Sequence, residues 1–152
     1  MSANTPHVIF DELQTKSSVP LISIVETAKD EAVLNGYEKI GLIGTMPTMN
    51  GSFFITPFEK QGIQIILPSE AEKIYINDKI SEELELGIVK QDTQMNFINI
   101  LQRMQDEDGI QAIILGCTEL PLILNDDISP VPCLDTMQIH INALVNKIIC
   151  VN

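Results

Sequence analysis

The sequence has few basic residues. Its 152 residues include 9 lysines and arginines against 21 aspartates and glutamates, which gives a formal net charge of -12 at pH 7. Such an excess of negative charge repels polynucleotides and anionic membrane surfaces. We therefore expect no nucleic-acid partner and no membrane partner. An acidic metabolite is still compatible with this charge, because local donors in a pocket outweigh a screened global field.

Cysteines and long apolar runs are also scarce. The chain has three cysteines, Cys117, Cys133 and Cys150. Their odd number and unrelated spacing argue against a disulfide framework or a zinc site. No apolar run approaches the ~20 residues that cross a bilayer, and no leader-like pattern opens the chain. We expect a cytoplasmic location and no metal site, with Cys133 and Cys150 in the core.

Short apolar segments alternate with amphipathic ones, and no repeat or low-complexity tract is present. The pattern predicts a helix start at residues 4–6, strands at 19–25, 39–43, 63–67, 112–115 and 131–134, and helices at 26–35, 50–61, 69–86, 92–105 and 137–149. This alternation is typical of an α/β fold with a mainly parallel sheet.

The segment around Cys117 predicts a ligand site. The apolar run 112–115 follows Gly109 and indicates a strand buried on both faces. Cys117 then lies at the C-terminal edge of the sheet, where α/β folds bind ligands. Thr118 and Glu119 predict the start of a short helix, whose positive end favours a thiolate at Cys117. From the pattern alone, Cys117 is either a reactive thiol or a small buried apolar residue.

Two motifs resemble those of a known family. The segment Gly116-Cys117-Thr118-Glu119-Leu120 resembles the second cysteine motif of the aspartate/glutamate racemases, which are amino-acid racemases independent of pyridoxal phosphate. The segment Ala3-Asn4-Thr5-Pro6-His7 resembles the family's first motif, Cys-Asn-Thr followed by a small residue and His. Ala3 stands where the first catalytic cysteine is expected. Residues 44–48 and 131–136 resemble two further family segments, Gly-Thr-x-x-Thr and Val-Pro-x-x-Asp-Thr.

The resemblance implies mainly parallel sheets in two similar lobes, with the active site between them. Family members are usually longer by several N-terminal βα units, so the N-terminal lobe is expected to be truncated here. On this interpretation residues 1–19 and 126–152 are the remnant of that lobe. Residues 20–125 form the second α/β lobe, which carries the Cys117 motif.

The resemblance also implies the site residues and the partners. Cys117 is the expected catalytic residue, and the expected substrate-binding residues are Asn4, Thr5, Thr45, Thr48, Thr118, Glu119 and Lys90. Lys90 matches by neighbourhood only, and a solvated surface charge is the alternative interpretation. His140 is expected to have a structural or supporting role. The family needs no cofactor, acts on a small acidic amino acid and commonly forms homodimers.

Three functions are compatible with a site that has one cysteine. The first is racemisation of aspartate or glutamate, with the missing base replaced by Ser2, Thr5 or a water molecule. The second is a one-cysteine decarboxylase or isomerase of the same superfamily, in which a single thiol protonates one face of an enolate. The third is a binding protein with impaired catalysis. The sequence does not separate aspartate from glutamate or another dicarboxylate.

Overall fold

The centre of the protein is a four-stranded parallel sheet. A computed structural model describes residues 3–149. The strands are β1 (Lys39–Gly44), β2 (Gln64–Ile66), β3 (Ala112–Gly116) and β4 (Cys133–Asp135). Their order in the sheet is β2-β1-β3-β4, and every pair is parallel. The structure confirms the α/β class with a parallel sheet.

Helices cover both faces of this sheet. Within residues 3–149 the α-helices are α1 (Phe10–Lys16), α2 (Ile24–Leu34), α3 (Met46–Asn50), α4 (Ser52–Glu59), α5 (Glu70–Glu82), α6 (Gln91–Arg103) and α7 (Thr136–Ile149). Short 3₁₀ helices occupy Thr5–Ile9, Leu84–Leu86 and Leu120–Leu122, and a π-helix, Met104–Asp108, extends α6. None of the helices in this part of the chain has the length and apolarity that a membrane crossing requires.

The protein has two hydrophobic cores, one on each face of the sheet. The strand β3 is buried on both faces, as its apolar run predicts. Ile113 and Leu115 pack on one side with apolar residues of α5 and α6, including Ile76, Ile80, Phe97 and Leu101. Ala112 and Ile114 pack on the other side with residues of α2 and α4, including Ile24, Ala28, Phe54 and Phe58. Alternate residues of one strand therefore serve two cores, which fixes β3 and the residues that follow it.

The predicted strand at 19–25 is wrong. Residues 17–23 form neither a strand nor a helix, and α2 begins at Ile24. The side chain of Ser23 accepts a hydrogen bond from the backbone N–H of Glu26, so Ser23 acts as the N-cap of α2. Capping draws the apolar Ile24 and Val25 into the helix, where both are buried against the sheet.

Helix boundaries also differ from the predicted ones. The helix expected at 50–61 is α4, which begins at Ser52 and ends at Glu59, and an additional short helix, α3, precedes it across Gly51. A Cβ atom at Gly51 would lie 2.6 Å from the carbonyl oxygen of Pro47, so this tight junction requires glycine. The helix expected at 69–86 ends at Glu82 and is followed by the 3₁₀ helix Leu84–Leu86.

The C-terminal part of the chain joins the same sheet. β4 lies in the range 126–152, which the resemblance assigned to a separate lobe with residues 1–19. In the structure β4 pairs with β3, with Ile113 opposite Cys133, and α7 packs beside α2. This strand therefore belongs to the sheet of β1 and β3. The division of the chain into two lobes stays a prediction.

Candidate active site

The C-terminal ends of β1 and β3 meet at a pair of glycines. Gly44 is opposite Gly116 in the sheet register. A Cβ atom on Gly44 would lie 2.9 Å from the carbonyl oxygen of Gly116, and one on Gly116 would lie 2.9 Å from that of Ile43. Backbone atoms cannot move aside as a flexible side chain can, so both positions require glycine. The close approach brings together the loops that follow the two strands.

Three threonine hydroxyls form a cluster at this edge. The Oγ1 atom of Thr5 lies 3.1 Å from Oγ1 of Thr45 and 3.3 Å from Oγ1 of Thr48, and the last two are 3.2 Å apart. We call Thr5, Thr45 and Thr48 the threonine cluster. Each hydroxyl is both a donor and an acceptor and can rotate, so the cluster can turn O–H groups toward an anionic ligand. All three residues were predicted to bind substrate.

Asn4 is fixed to the end of β3 through Thr136. Its Nδ2 atom donates to Oγ1 of Thr136 at 3.0 Å, and that hydroxyl donates to the carbonyl oxygen of Leu115 at 2.9 Å. The buried Oδ1 atom of Asn4 finds no donor among residues 3–149. A buried acceptor without a donor is costly, so this oxygen is suited to accept a hydrogen bond from a ligand.

Cys117 follows Gly116 directly and is 8% exposed. Its Sγ atom donates a hydrogen bond to Oε2 of Glu119 at 2.9 Å. Burial first, and then the Glu119 carboxylate, raise the pKa of Cys117 to about 12. The expected thiolate is therefore wrong, because Cys117 is a neutral thiol at neutral pH. The helix after it is only the three-residue turn Leu120–Leu122, which has little dipole to oppose burial.

Glu119 is the charged partner of this thiol. Burial alone would raise its pKa, but hydrogen bonds from Cys117 and Thr118 outweigh burial and lower the pKa of Glu119. At neutral pH the pair is a protonated sulfur beside a carboxylate. Chemically, this arrangement can donate a proton from Sγ, and Glu119 is within reach to receive one.

The threonine cluster and Cys117 lie on neighbouring strands. The Cγ2 methyl of Thr48 would be 3.0 Å from a Cβ atom on Gly116, the residue before Cys117. The structure thus brings Asn4, Thr5, Thr45, Thr48, Cys117, Thr118 and Glu119 to one edge of the sheet. No group of three or more His, Cys, Asp or Glu side chains is placed to hold a metal ion within residues 3–149.

Lys90 is bound to a different residue. Its Nζ atom lies 3.0 Å from Oε1 of Glu83, a buried carboxylate that also accepts from Lys79 at 2.8 Å and from Thr93 at 2.6 Å. Hydrogen bonds from Lys79 and Thr93, and a weaker effect of Lys90, lower the pKa of Glu83 to about 2. The Lys90 side chain is 59% exposed, so Lys90 is a surface cation that neutralises a buried carboxylate.

Sequence reasoning missed two residues that support the site. Thr136 was noted only as the last residue of the motif at 131–136. The helix cap next to it is made by Asp135, whose Oδ1 accepts from the N–H groups of Met137 and Gln138. The bond from Asn4 to Thr136 joins residues far apart in the chain, so no local pattern signals it. His7 was noted only as a motif residue, yet it is buried and bonded through both ring nitrogens.

The other predicted residues have simpler positions. Cys133 is half-buried at the start of β4 and packs against the core beside β3. His140 is buried on α7 and its Nε2 atom lies 3.0 Å from the carbonyl oxygen of Ile22, which is the structural contact expected of it. Ser2 and Cys150 lie outside the described residues.

Known proteins resemble this chain in sequence. The family model Asp/Glu/Hydantoin racemase matches residues 1–144. The broad specificity amino-acid racemase RacX of Bacillus subtilis (strain 168) is 27% identical over 141 residues, which are 90% of this chain and 58% of that protein. A glutamate racemase of Actinobacillus pleuropneumoniae is 24% identical over 116 residues, which are 76% of this chain and 42% of the relative.

Solved structures share the fold. An aspartate racemase homologue from Pyrococcus horikoshii OT3 superposes with a TM-score of 0.87 at 35% identity, over 95% of this chain and 63% of that one. A putative Asp/Glu racemase from Yersinia pestis gives a TM-score of 0.89 at 33% identity, with the same coverage. The chain therefore spans about two fifths to three fifths of the length of these relatives.

Proposed function

The chain belongs to the Asp/Glu/hydantoin racemase family, whose members are racemases, and from this premise we propose that it acts as a cofactor-independent amino-acid racemase of the aspartate/glutamate type. The reaction removes the weakly acidic proton at Cα and returns one to the other face. Without a cofactor to absorb the negative charge, the protein must supply positioned donors and an acid/base group.

The observation that carries this proposal is the state of Cys117. A protonated thiol at the end of a buried strand can deliver a proton to one face of a carbanion. The carboxylate of Glu119, 2.9 Å from Sγ, raises the pKa of the thiol and so keeps it protonated at neutral pH. The threonine cluster and Asn4 supply donors for the substrate carboxylates and an acceptor for its amino group. Thr118 is proposed to bind substrate beside them.

The other face of the substrate is assigned to Ala3. We propose that this residue occupies the position of the first catalytic cysteine, where it has no ionisable atom. A neighbour such as Ser2 or Thr5, or a water molecule, then replaces the missing base. Such a replacement is a poorer acid/base group than a thiol, and general acid/base groups contribute ~10²–10⁴-fold each. We therefore expect slow racemisation.

A second candidate function follows from the same two residues. A protonated Cys117 facing an Ala3 without acid/base chemistry favours proton delivery from one side only. That is the requirement of a one-cysteine decarboxylase or isomerase, in which carbon dioxide leaves and the thiol protonates the enolate that remains. A catalytically impaired binding protein is the third outcome.

Lys90 and the assembly complete the proposal. Lys90 is proposed to pair with a substrate carboxylate, since its side chain is 59% exposed and Glu83 would keep Lys79 and Thr93 as partners if Lys90 moved to a ligand. A homodimer is proposed because Ile141, Val145 and Ile148 form an exposed apolar stripe along α7. Sedimentation velocity tests the dimer.

A reducing compartment such as the cytoplasm fits a catalytic thiol that must stay unoxidised.

The test is deuterium incorporation at Cα in D₂O, measured on both enantiomers of aspartate and glutamate. The wild type should incorporate deuterium, and Cys117→Ala should lower the rate at least ~10²-fold. Cys133→Ala is the matched control and should keep the wild-type rate. Release of carbon dioxide from a disubstituted malonate without Cα exchange would favour the decarboxylase. If none of these substrates reacts, the enzymatic function is wrong for this chain.

A further inference from the structure

His7 is bonded through both nitrogens of its ring. Its Nδ1 atom lies 2.8 Å from the carbonyl oxygen of Ala3, and its Nε2 atom lies 3.0 Å from the backbone nitrogen of Ile24. The N–H of Ile24 can only donate, so Nε2 must carry the lone pair. A carbonyl oxygen can only accept, so Nδ1 must carry the proton. The two contacts together define one neutral tautomer.

The surroundings of the ring favour this neutral form. His7 is 4% exposed and stacks on Phe10, with ring centroids 5.0 Å apart. Burial lowers the pKa of His7, the Ala3 carbonyl partly opposes this, and His140 on α7 lowers it further. Asp11 of α1 and Glu26 of α2 line the same cavity as His7.

The contact with Ala3 holds a segment that has no regular structure of its own. Ala3 and Asn4 precede the 3₁₀ helix Thr5–Ile9, and side chains hold each residue of the segment 3–5. Asn4 is bonded to Thr136, and Thr5 to the rest of the threonine cluster. Ala3 is bonded through its carbonyl to His7, which is bonded in turn to Ile24, a fully buried residue at the start of α2.

We propose that His7 is a positioning residue of this site, which links the backbone of Ala3 to the first residue of α2 and thereby fixes Asn4 and Thr5 at the C-terminal edge of β3. The proposal rests on the proposed function insofar as these residues bind substrate. A proton on Nε2 would face the N–H of Ile24 and break the link. The link from Ala3 to α2 is therefore intact only while the ring of His7 is neutral, and Asn4 and Thr5 are placed correctly only with that link.

The first test is the tautomer, which does not require activity. Long-range proton–nitrogen NMR correlation at neutral pH should give His7 a protonated Nδ1 and an unprotonated Nε2. Acidification that protonates His7 should also remove the nuclear Overhauser effects (NOEs) between the side chains of Thr5 and Thr48, whose Oγ1 atoms lie 3.3 Å apart. The opposite tautomer, or contacts that persist after His7 is charged, would overturn the proposal.

The second test uses two conservative variants that each keep one of the two bonds. His7→Asn keeps a donor near the Nδ1 position, toward Ala3. His7→Gln keeps an acceptor near the Nε2 position, toward Ile24. Each variant lacks one end of the link between Ala3 and Ile24, so positioning predicts that both variants lose the NOEs between Thr5 and Thr48. His140→Gln, at the other buried histidine, is the control and should keep them. NOEs that persist in either His7 variant would contradict positioning.

Catalysis gives an independent readout of the same pair. Misplacing a site residue by about 1 Å can cost ~10²-fold in rate, so His7→Asn and His7→Gln should each lower Cα exchange about that much, while His140→Gln stays within a few-fold. A wild-type rate in either His7 variant would overturn the proposal. If the wild type does not exchange Cα protons, the proposed function fails, and the tautomer and the NOEs still decide the role of His7.

Discussion

The thiol of Cys117 donates a hydrogen bond to the carboxylate of Glu119, two residues further along the chain, at 2.9 Å. The contact joins the residue after β3 to the turn before Leu120–Leu122, so both groups are held by local backbone geometry. A carboxylate this close opposes ionisation of the sulfur. The pair therefore rests as thiol and carboxylate, and Cys117 can take a proton only after its own proton has passed to Glu119.

The variant Glu119→Gln tests this pairing. It removes the negative charge while burial, the larger cause of the raised pKa, remains. We expect the pKa of Cys117 to fall from about 12 by roughly one pH unit. The measurement is the pH dependence of Cys117 alkylation by iodoacetamide, followed by mass spectrometry of each cysteine. Glu119→Asp keeps the charge and is the control. An alkylation profile that Glu119→Gln does not change would show that the carboxylate has no part in holding the proton.

Lys79 is the matched control for Lys90, because both lysines contact Oε1 of the buried Glu83 but only Lys90 is proposed to bind substrate. Lys90→Met and Lys79→Met should both lower the urea midpoint of unfolding, since each removes a charged partner of Glu83. If Lys90 also binds a substrate carboxylate, only Lys90→Met should raise KM, by about tenfold. A KM unchanged in Lys90→Met would leave Lys90 a purely structural cation.

Acid should destabilise the fold through its two buried histidines. Burial lowers the pKa of His7 and of His140 below the ordinary value of 6.5. Below about pH 6.5 the histidines of the unfolded chain take up protons that the buried histidines of the folded chain do not. The free energy of unfolding therefore falls as the pH falls. From about pH 7.5 to about pH 5.5 we expect a loss of about 1–2 kcal/mol, measured by urea denaturation.

The control for this prediction is His140→Gln. Its side chain can still donate to the carbonyl oxygen of Ile22, which His140 contacts at 3.0 Å, but it does not titrate. The variant should lose about half as much stability over the same pH interval. A stability that is flat across this interval in the wild type would mean that neither histidine resists protonation.

The sequence predicted well the parts of the fold that depend on local patterns. The apolar runs at 39–43 and 112–115 predicted β1 and β3, and Gly44 and Gly116 marked the strand ends where the site lies. The family motifs named Thr5, Thr45 and Thr48 as substrate-binding residues, and the structure brings their hydroxyls together at one edge of the sheet.

The features that it missed depend on contacts between distant residues. Residues 19–25 have the composition of a strand, but Ser23 caps a helix there and the sheet offers Ile24 a buried place on that helix. The neutral state of Cys117 depends on burial by the folded chain, which no spacing reveals. The bonds from Asn4 to Thr136 and from His7 to Ile24 likewise exist only once the sheet has formed.

The most direct test of the one-thiol site compares two rates, Cα exchange and racemisation. Both are measured in the wild type and in Ala3→Cys. Each protein is incubated in D₂O with L-aspartate and L-glutamate, and deuterium content and enantiomer ratio are followed together. We expect the wild type to exchange faster than it racemises, because Cys117, once its proton has passed to Glu119, can take a Cα proton and return a deuteron on the same face. Ala3→Cys should raise racemisation ~10²–10⁴-fold, up to the rate of exchange. Equal rates of exchange and racemisation in the wild type, unchanged in Ala3→Cys, would contradict a site with one thiol.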